Sequence, residues 1–259
     1  MNPAAALVLV SHDGPVTTLT LNRPDKRNAL NVELLEALVA AVEATEAEAS
    51  QRVLVVRGSG PVFCAGLDLT EATQADRAHR SAELVARGLM VLSRSRLVTI
   101  AAVHGAAIAG GAGLMSACDF AVATRDAKFG YPEVRRGLVA GLIMTFLRRQ
   151  VRERDIRELL MLGRTFDAAH AQAIGLVNRL VDDEAALAPE VHHLVTSILQ
   201  GAPEAIAHTK ALLADLWPHT VQHDVEHALQ FHLEARGSAE AREGIAAFHE
   251  KRPPNWAPK

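Results

Sequence analysis

Residues 100–118 read IAAVHGAAIAGGAGLMSAC, a stretch without a charged residue apart from one histidine. It is long enough to cross a bilayer as a helix. Four glycines argue against one continuous helix, because each costs about 1 kcal/mol relative to alanine in a helix interior. No second span of this kind follows, and no membrane role is expected. We predict a buried strand over residues 98–103, a turn, and a buried helix that begins at Gly110.

Strands and helices alternate on both sides of this stretch. β-Branched and apolar runs predict strands at 16–22, 53–57, 120–123 and 177–181, and residues 4–10 are read as a strand ended by a turn at 11–14. Asn31 is expected to cap a helix, and charged residues 148–157 to form a solvated helix surface. From about residue 185 only helical patterns follow. We therefore predict an α/β core over residues 1–200 and a helical region over 201–259.

The composition argues against a nucleic-acid partner and indicates a reducing compartment. The chain has 259 residues, 22% of them charged, and a net charge of −3 without any block of like charge. A nucleic-acid partner is therefore not expected. The two cysteines, Cys64 and Cys118, form no C-x-x-C pair, which favours a reducing compartment, and we expect a cytoplasmic protein.

Small residues at positions 110–113, Gly-Gly-Ala-Gly, begin the predicted buried helix. A helix start leaves backbone N–H groups unpaired and carries positive partial charge, which suits a phosphate or an oxygen that becomes negative during a reaction. Close packing is the other explanation, and the glycines alone favour it. The pattern does not match the G-x-G-x-x-G dinucleotide fingerprint.

Two further segments could carry chemistry. Residues 63–69, FCAGLDL, form a glycine-containing loop that could offer another backbone donor. In residues 129–133, FGYPE, a proline fixes the backbone just before Glu133, and a carboxylate held near an apolar pocket is a suitable general base. Glu133 could equally be a surface charge paired with Arg135 or Arg136.

In this order and at these separations, the three segments resemble the enoyl-CoA hydratase/isomerase, or crotonase, superfamily. The resemblance runs almost from end to end. It also includes LNRPDKRNAL at 21–30, residues 101–119, GLV at 175–177 and FHEKR at 248–252.

The resemblance implies a spiral of ββα units with a C-terminal helical trimerisation region, and a homotrimer or a hexamer. It implies an acyl-CoA substrate whose thioester oxygen is held by the backbone N–H groups of Leu67 and Gly110, with Glu133 as acid/base. Coenzyme A would be part of the substrate, so no separate cofactor is expected. Residues implied in its binding are Lys26, Arg27, Ala29, Ala65, Asp68 and Leu69, with Phe248 and Lys251 contributed by a neighbouring subunit.

Two departures from the family pattern concern the chemistry. Hydratases of the family typically use two glutamates, and the first of them aligns with Gly113. A single carboxylate fits 3,2-enoyl-CoA isomerisation better than hydration, although an acid from residues 71–83 could replace the missing one. Residues 137–143, GLVAGLI, also lack the usual proline, which leaves the acyl specificity open.

Other functions stay open at this point. A non-catalytic acyl-CoA-binding protein, or another enolate reaction such as decarboxylation or C–C cleavage, would use the same thioester-binding segments. Residues 223–227, HDVEH, fit an H-x-x-E-H zinc pattern, but a third ligand is not evident and no metal is expected. His104 is expected to be a buried or turn histidine rather than a base.

Overall fold

The computed structural model describes residues 6–71, 75–216 and 220–256. The strands of these residues, numbered in chain order, are β1 Val8–Asp13, β2 Val16–Leu21, β3 Val53–Gly58, β4 Val98–Val103, β5 Ala106–Ile108, β6 Phe120–Thr124, β7 Lys128–Gly130, β8 Thr165–Asp167 and β9 Arg179–Val181. The helices are α1 Val32–Ala47, α2 Ala75–Arg94, α3 Gly110–Ala117, α4 Gly141–Leu147, α5 Glu153–Leu162, α6 Ala168–Ala173, α7 Leu187–Leu199, α8 Pro203–Asp215, α9 Val221–Arg236 and α10 Ala239–His249.

Two sheets organise these elements. The larger has the order β1-β2-β3-β4-β6-β9, in which only β1 runs antiparallel to its neighbour. The smaller has the order β5-β7-β8. All six residues of β4 are buried, as expected for a parallel strand that is covered on both faces. One face packs against the main core with α1, α2 and α3, and the other packs against α7.

The ββα spiral expected for the chain is confirmed. The chain passes from β4 in the larger sheet to β5 in the smaller sheet and then into α3, so the apolar stretch 100–118 is two strands and a helix. It next passes from β6 to β7 and into a 3-10 turn, Pro132–Arg136. This path places the start of α3 and the 3-10 turn beside each other at the ends of the small-sheet strands.

One local prediction is wrong, and another holds only in part. The turn predicted at 11–14 belongs mostly to β1, which continues to Asp13 because it pairs residue by residue with β2 as far as Val16. The hairpin therefore turns at Gly14, which has φ +54°; residues 4 and 5 lie outside the described residues. The charged segment 148–157 is mostly exposed, as predicted, but its helical part begins only at Glu153. Arg149 is not solvated, because its side chain is only 12% exposed and lies 3.4 Å from Asp224 of α9.

Part of the C-terminal helical region returns to the core. Helix α9 packs against α4 and α2, and α10 packs against the Pro132–Arg136 turn. Gly244 and Gly137 permit this approach, since a Cβ at either position would collide with backbone atoms of the opposite segment. Within the described residues, no helix is long and apolar enough to span a membrane. The division near residue 200 stays a prediction.

Asn28 joins the segment at 21–30 to the loop at 58–63. Its Nδ2 lies 2.8 Å from the carbonyl oxygen of Ser59 and 2.9 Å from that of Val62, while its Oδ1 accepts from the N–H of Arg23 at 2.9 Å. The side chain is completely buried. Its backbone has φ +54°, so glycine is the substitution that removes these bonds without adding strain.

We expect Asn28→Gly to lower the free energy of unfolding by about 2–3 kcal/mol, because it leaves buried polar groups unpaired. Urea denaturation would measure the change. Arg27→Gly is the matched control, because Arg27 is the neighbouring residue and also has positive φ, +52°. An equal loss in both variants would mean that the hydrogen bonds of Asn28 contribute little.

Candidate active site

A cavity of about 280 Å³ lies where α3, α4, α9, α10 and the Pro132–Arg136 turn meet. Most of its wall is apolar. The polar side chains of the wall are Asp68, Thr70, Glu133, Arg136, His232 and His249. A mostly apolar cavity with a few polar groups is the usual form of a small-molecule site.

Two backbone donors meet at this wall. The N–H of Gly110 opens α3, and that of Leu67 lies in the loop beside it. Among the described residues, neither N–H has a hydrogen-bond acceptor in the protein, although the adjacent Ala109 and Asp68 N–H groups bond to Gly130 and Leu30. A Cβ at Gly110 would lie 3.8 Å from the Leu67 nitrogen, so the two donors are close neighbours.

Tight backbone packing holds these donors together. Gly66 has φ +92°, and a Cβ there would lie 2.8 Å from the Ile108 carbonyl oxygen and 3.3 Å from the Gly110 nitrogen. Ala109 has φ +49°, which is strained for a residue with a side chain. Its N–H bonds to the Gly130 carbonyl at 2.8 Å, which fixes the strained residue at the start of α3. Two N–H groups fixed in advance suit an oxygen that gains negative charge.

Glu133 is the buried carboxylate of the cavity. Pro132 precedes it at the start of the 3-10 turn, and Glu133 itself is only 7% exposed. Its Oε2 is buried without a hydrogen-bond partner. Burial raises the pKa of Glu133 to about 7, and the nearby Arg136 offsets only part of this effect. The carboxyl group can therefore accept and release a proton near neutral pH.

This pKa makes protein stability depend on pH. Between the ordinary pKa of 4.5 and about 7, the folded protein holds more protons at Glu133 than the unfolded chain does, so the free energy of unfolding falls as pH rises. We expect Glu133→Gln to match the wild type near pH 4 and to be about 3 kcal/mol more stable above pH 7. Urea denaturation across this range would measure it; parallel curves for both proteins would contradict the raised pKa.

Other side chains pack against Gly113, the position at which the resemblance implied a second carboxylate. A Cβ at Gly113 would lie 3.0 Å from Ile143 Cγ1 and 3.6 Å from Leu89 Cδ2. Ile143 belongs to α4 and is the last residue of the segment at 137–143, which lacks the proline expected from the resemblance. This segment does form the wall, through Leu138, Val139, Ala140, Leu142 and Ile143.

Residues 71–83 were the other possible source of an acid, and two of their glutamates, Glu71 and Glu83, have partners outside the cavity. Glu71 accepts from the N–H of Val32 at 3.1 Å and pairs with Arg77, whereas Glu83 is at the surface beside Arg80. Neither lies in the cavity wall, so the suggestion that residues 71–83 supply an acid has no support among the described residues; residues 72–74 lie outside them.

Asp68 is the second carboxylate of the wall, and it is an ion-paired one. It lies 3.1 Å from Arg23. Burial raises its pKa, but hydrogen bonds from Thr70 and Arg23 outweigh this effect and hold the pKa below its usual value. Asp68 therefore stays ionised and is a poor proton carrier at neutral pH.

The structure brings most of the predicted site residues together. The residues found in the cavity wall are Gly110, Leu67, Glu133, Ala29, Ala65, Asp68, Leu69 and Phe248. Phe248 was expected from a neighbouring subunit, but it lies in the wall of this chain's own cavity, where Arg136 stacks on its ring at 4.6 Å. Lys26, Arg27 and Lys251 do not contribute to the wall, and their contacts with coenzyme A stay predictions.

Arg136, His232 and His249 were not predicted as wall residues. No local pattern marks them, because the packing of α9 and α10 brings the two histidines to a turn about 100 residues earlier in the chain.

The described part of the chain contains no group of three side chains able to hold a metal ion. His104 is buried with its Nε2 2.8 Å from the Gly60 carbonyl oxygen, in agreement with the prediction of a buried or turn histidine.

Residues 12–259 match a family model described as enoyl-CoA hydratase/isomerase. The chain belongs to this family. A mevalonyl-coenzyme A hydratase of Aspergillus fumigatus is 33% identical over 264 residues, covering 99% of this chain and 97% of the fungal protein. A crotonyl-CoA hydratase of Syntrophomonas wolfei is 32% identical over 260 residues, covering 97% and 98% of the two chains.

The solved structures agree with this assignment. An enoyl-CoA hydratase from Mycobacterium avium has a TM-score of 0.86 and 35% identity, covering 97% of this chain and 99% of the other. The resemblance to the crotonase superfamily is therefore confirmed, as are the fold and the class of enzyme. A hydratase/isomerase of this family acts on an acyl-CoA thioester.

Proposed function

We propose that the protein catalyses 3,2-enoyl-CoA isomerisation, with Glu133 as the single acid/base and the N–H groups of Leu67 and Gly110 holding the thioester oxygen. One observation carries the proposal: among the described residues of the cavity wall, Glu133 is the only carboxylate without an ion-pair partner, and Ile143 occupies the space beside Gly113. Hydration usually needs a second group to orient water.

The reaction can be written with these groups alone. Glu133 removes a proton from C2 of a 3-enoyl-CoA, and the electron pair moves onto the thioester oxygen, which the two N–H groups stabilise. The protonated Glu133 then returns the proton to C4, while the double bond moves from C3–C4 to C2–C3. No atom is gained or lost. A pKa near 7 suits a group that must act in both directions.

The size of the cavity supports a short acyl group. About 280 Å³ is at the lower end of the range of small-molecule sites. Coenzyme A extends outside the cavity in this proposal, toward Asp68 at its wall and toward Lys26 and Arg27 beyond it.

Hydration is the second candidate, and it is favoured by the names of the relatives, which include a crotonyl-CoA hydratase. Assays with trans-3-hexenoyl-CoA and with crotonyl-CoA distinguish the two reactions. We expect isomerisation to exceed hydration in kcat/KM by at least about 100-fold, the usual contribution of one acid–base group. Faster hydration would refute the isomerase proposal, and binding without turnover of either substrate would favour a non-catalytic acyl-CoA-binding protein.

Restoring the missing carboxylate tests the same idea. We expect Gly113→Glu alone to destabilise the protein without raising hydration, because its side chain meets Ile143. The double variant Gly113→Glu/Ile143→Ala makes room, and we expect it to raise crotonyl-CoA hydration by about 10-fold or more over Ile143→Ala. Equal hydration by the double variant and by Ile143→Ala would show that the absent acid does not limit hydration.

A homotrimer, or a hexamer of two trimers, is part of the proposal. It is supported by the exposed leucines of α8 and its end, of which Leu212 is 58%, Leu213 62% and Leu216 73% exposed. Exposed apolar groups that lie together commonly mark an interface between chains. Light scattering would give the mass in solution. A monomer at all concentrations would refute this part.

A further inference from the structure

His232 is a polar side chain in the cavity wall that the proposed reaction does not use. It lies on α9, is only 7% exposed, and contributes to the wall together with Val139 and Leu142. Its Nδ1 lies 3.1 Å from the carbonyl oxygen of Val139. Its Nε2 is buried and has no hydrogen-bond partner among the described residues.

The bond to Val139 determines what Nε2 can do. A carbonyl oxygen can only accept, so Nδ1 must carry the hydrogen of the neutral ring, and Nε2 presents a bare lone pair. Burial lowers the pKa of His232 to about 4, and the positive charge of Arg236 adds to this effect. The ring therefore stays neutral at pH 7, and Nε2 is a hydrogen-bond acceptor.

An unpaired acceptor in an apolar wall is costly unless a ligand satisfies it. A hydrocarbon chain has no donor to offer. A carboxylate or ketone on the acyl chain only accepts, and an ammonium group would be repelled by Arg136 of the wall and by Arg236. A neutral hydroxyl group is the common substituent that fits a lone pair in this setting.

We propose that His232 recognises a hydroxyl group on the acyl chain, so that the preferred substrate is a hydroxylated enoyl-CoA. This inference rests on the proposed function in one respect, namely that the acyl chain occupies this cavity. His232 is then a specificity residue, because the proton transfer proposed for Glu133 does not use the imidazole ring.

Binding of saturated thioesters tests the proposal without any need for turnover. Calorimetry would compare 4-hydroxybutyryl-, 5-hydroxypentanoyl- and 6-hydroxyhexanoyl-CoA with butyryl-, pentanoyl- and hexanoyl-CoA. We expect at least one hydroxylated member to bind the wild type about tenfold more tightly than its parent, as one buried hydrogen bond allows. In His232→Leu this preference should disappear, while the parent thioesters still bind.

His227→Leu is the matched control, because His227 lies on the same helix, is exposed and is not part of the cavity wall. It should keep the wild-type preference. The proposal is overturned if no hydroxylated member binds more tightly than its parent, if no thioester of the panel binds, or if the preference survives in His232→Leu.

A measurement on the wild type covers the case in which His232→Leu does not fold. Nitrogen NMR of the imidazole should show Nδ1 protonated and Nε2 unprotonated at pH 7, with the Nε2 signal shifting when the tighter hydroxyacyl-CoA binds. A protonated Nε2 would overturn the proposal. If the hydroxyl proposal fails, the protein would still isomerise unsubstituted 3-enoyl-CoA. If the isomerase proposal fails, the protein would still bind the hydroxylated thioester more tightly than its parent.

Discussion

Glu133→Gln is expected to lower kcat for isomerisation of trans-3-hexenoyl-CoA by about 10²- to 10⁴-fold, with little change in the Kd of hexanoyl-CoA. The amide keeps the size of the side chain and cannot take up a proton. For the wild type, kcat/KM should fall as the pH drops below about 7, because the reaction needs the ionised form of Glu133. Steady-state kinetics across pH and calorimetry measure both quantities.

Glu71→Gln is the matched control for this substitution. Glu71 is also a buried carboxylate, but its partners are the N–H of Val32 and the guanidinium of Arg77, outside the cavity. It should leave kcat within about threefold of the wild type. Wild-type turnover by Glu133→Gln, or an equal loss in both variants, would remove Glu133 from the proposed role.

Gly66→Ala is expected to lower kcat by about 10²- to 10³-fold, the usual effect of losing one donor to a developing oxyanion. Its Cβ would lie 2.8 Å from the Ile108 carbonyl oxygen and 2.9 Å from Ala109 Cβ, so the loop that carries the Leu67 N–H must move away from α3. The two donors then no longer meet at one oxygen. Stopped-flow or steady-state kinetics with the same substrate would measure the loss.

Gly14→Ala separates this effect from simple backbone strain. Gly14 also has positive φ, +54°, but a Cβ there meets nothing within 4 Å, and it lies in the β1–β2 turn. It should lower stability slightly and leave kcat unchanged. If Gly66→Ala keeps wild-type kcat after both variants are confirmed to be folded, the geometry of the two N–H groups is not important for the reaction.

Local features of the sequence were sufficient for much of the fold. The apolar run of β4 followed by glycines predicted the strand and the buried helix that begins at Gly110, since both signals lie within about 20 residues. The sequence predicts Asn31 as a helix cap, and its side chain does accept from the N–H of Leu34 at 3.1 Å. The β1 hairpin was misplaced because pairing with β2, rather than local turn residues, sets where the strand ends.

The polar half of the site depends on contacts between distant segments. The sequence shows that position 113 is a glycine and has no carboxylate. It does not show that the side chain of Ile143 packs against this glycine. The burial that raises the pKa of Glu133 comes from the folded structure around it, and no local pattern of the sequence shows it. His232 reaches the cavity only because α9 packs on α4. Periodicity within one helix cannot show such neighbours.

Transfer of a labelled proton tests most directly whether one carboxylate carries the reaction. A 3-enoyl-CoA with deuterium at C2 would be converted in ordinary water, and mass spectrometry and NMR would locate the label in the 2-enoyl-CoA product. Because Glu133 is buried and is the only unpaired carboxylate of the described cavity wall, we expect part of the deuterium removed from C2 to appear at C4. A product whose C4 carries only solvent hydrogen from the first turnover would contradict proton transfer by Glu133 alone.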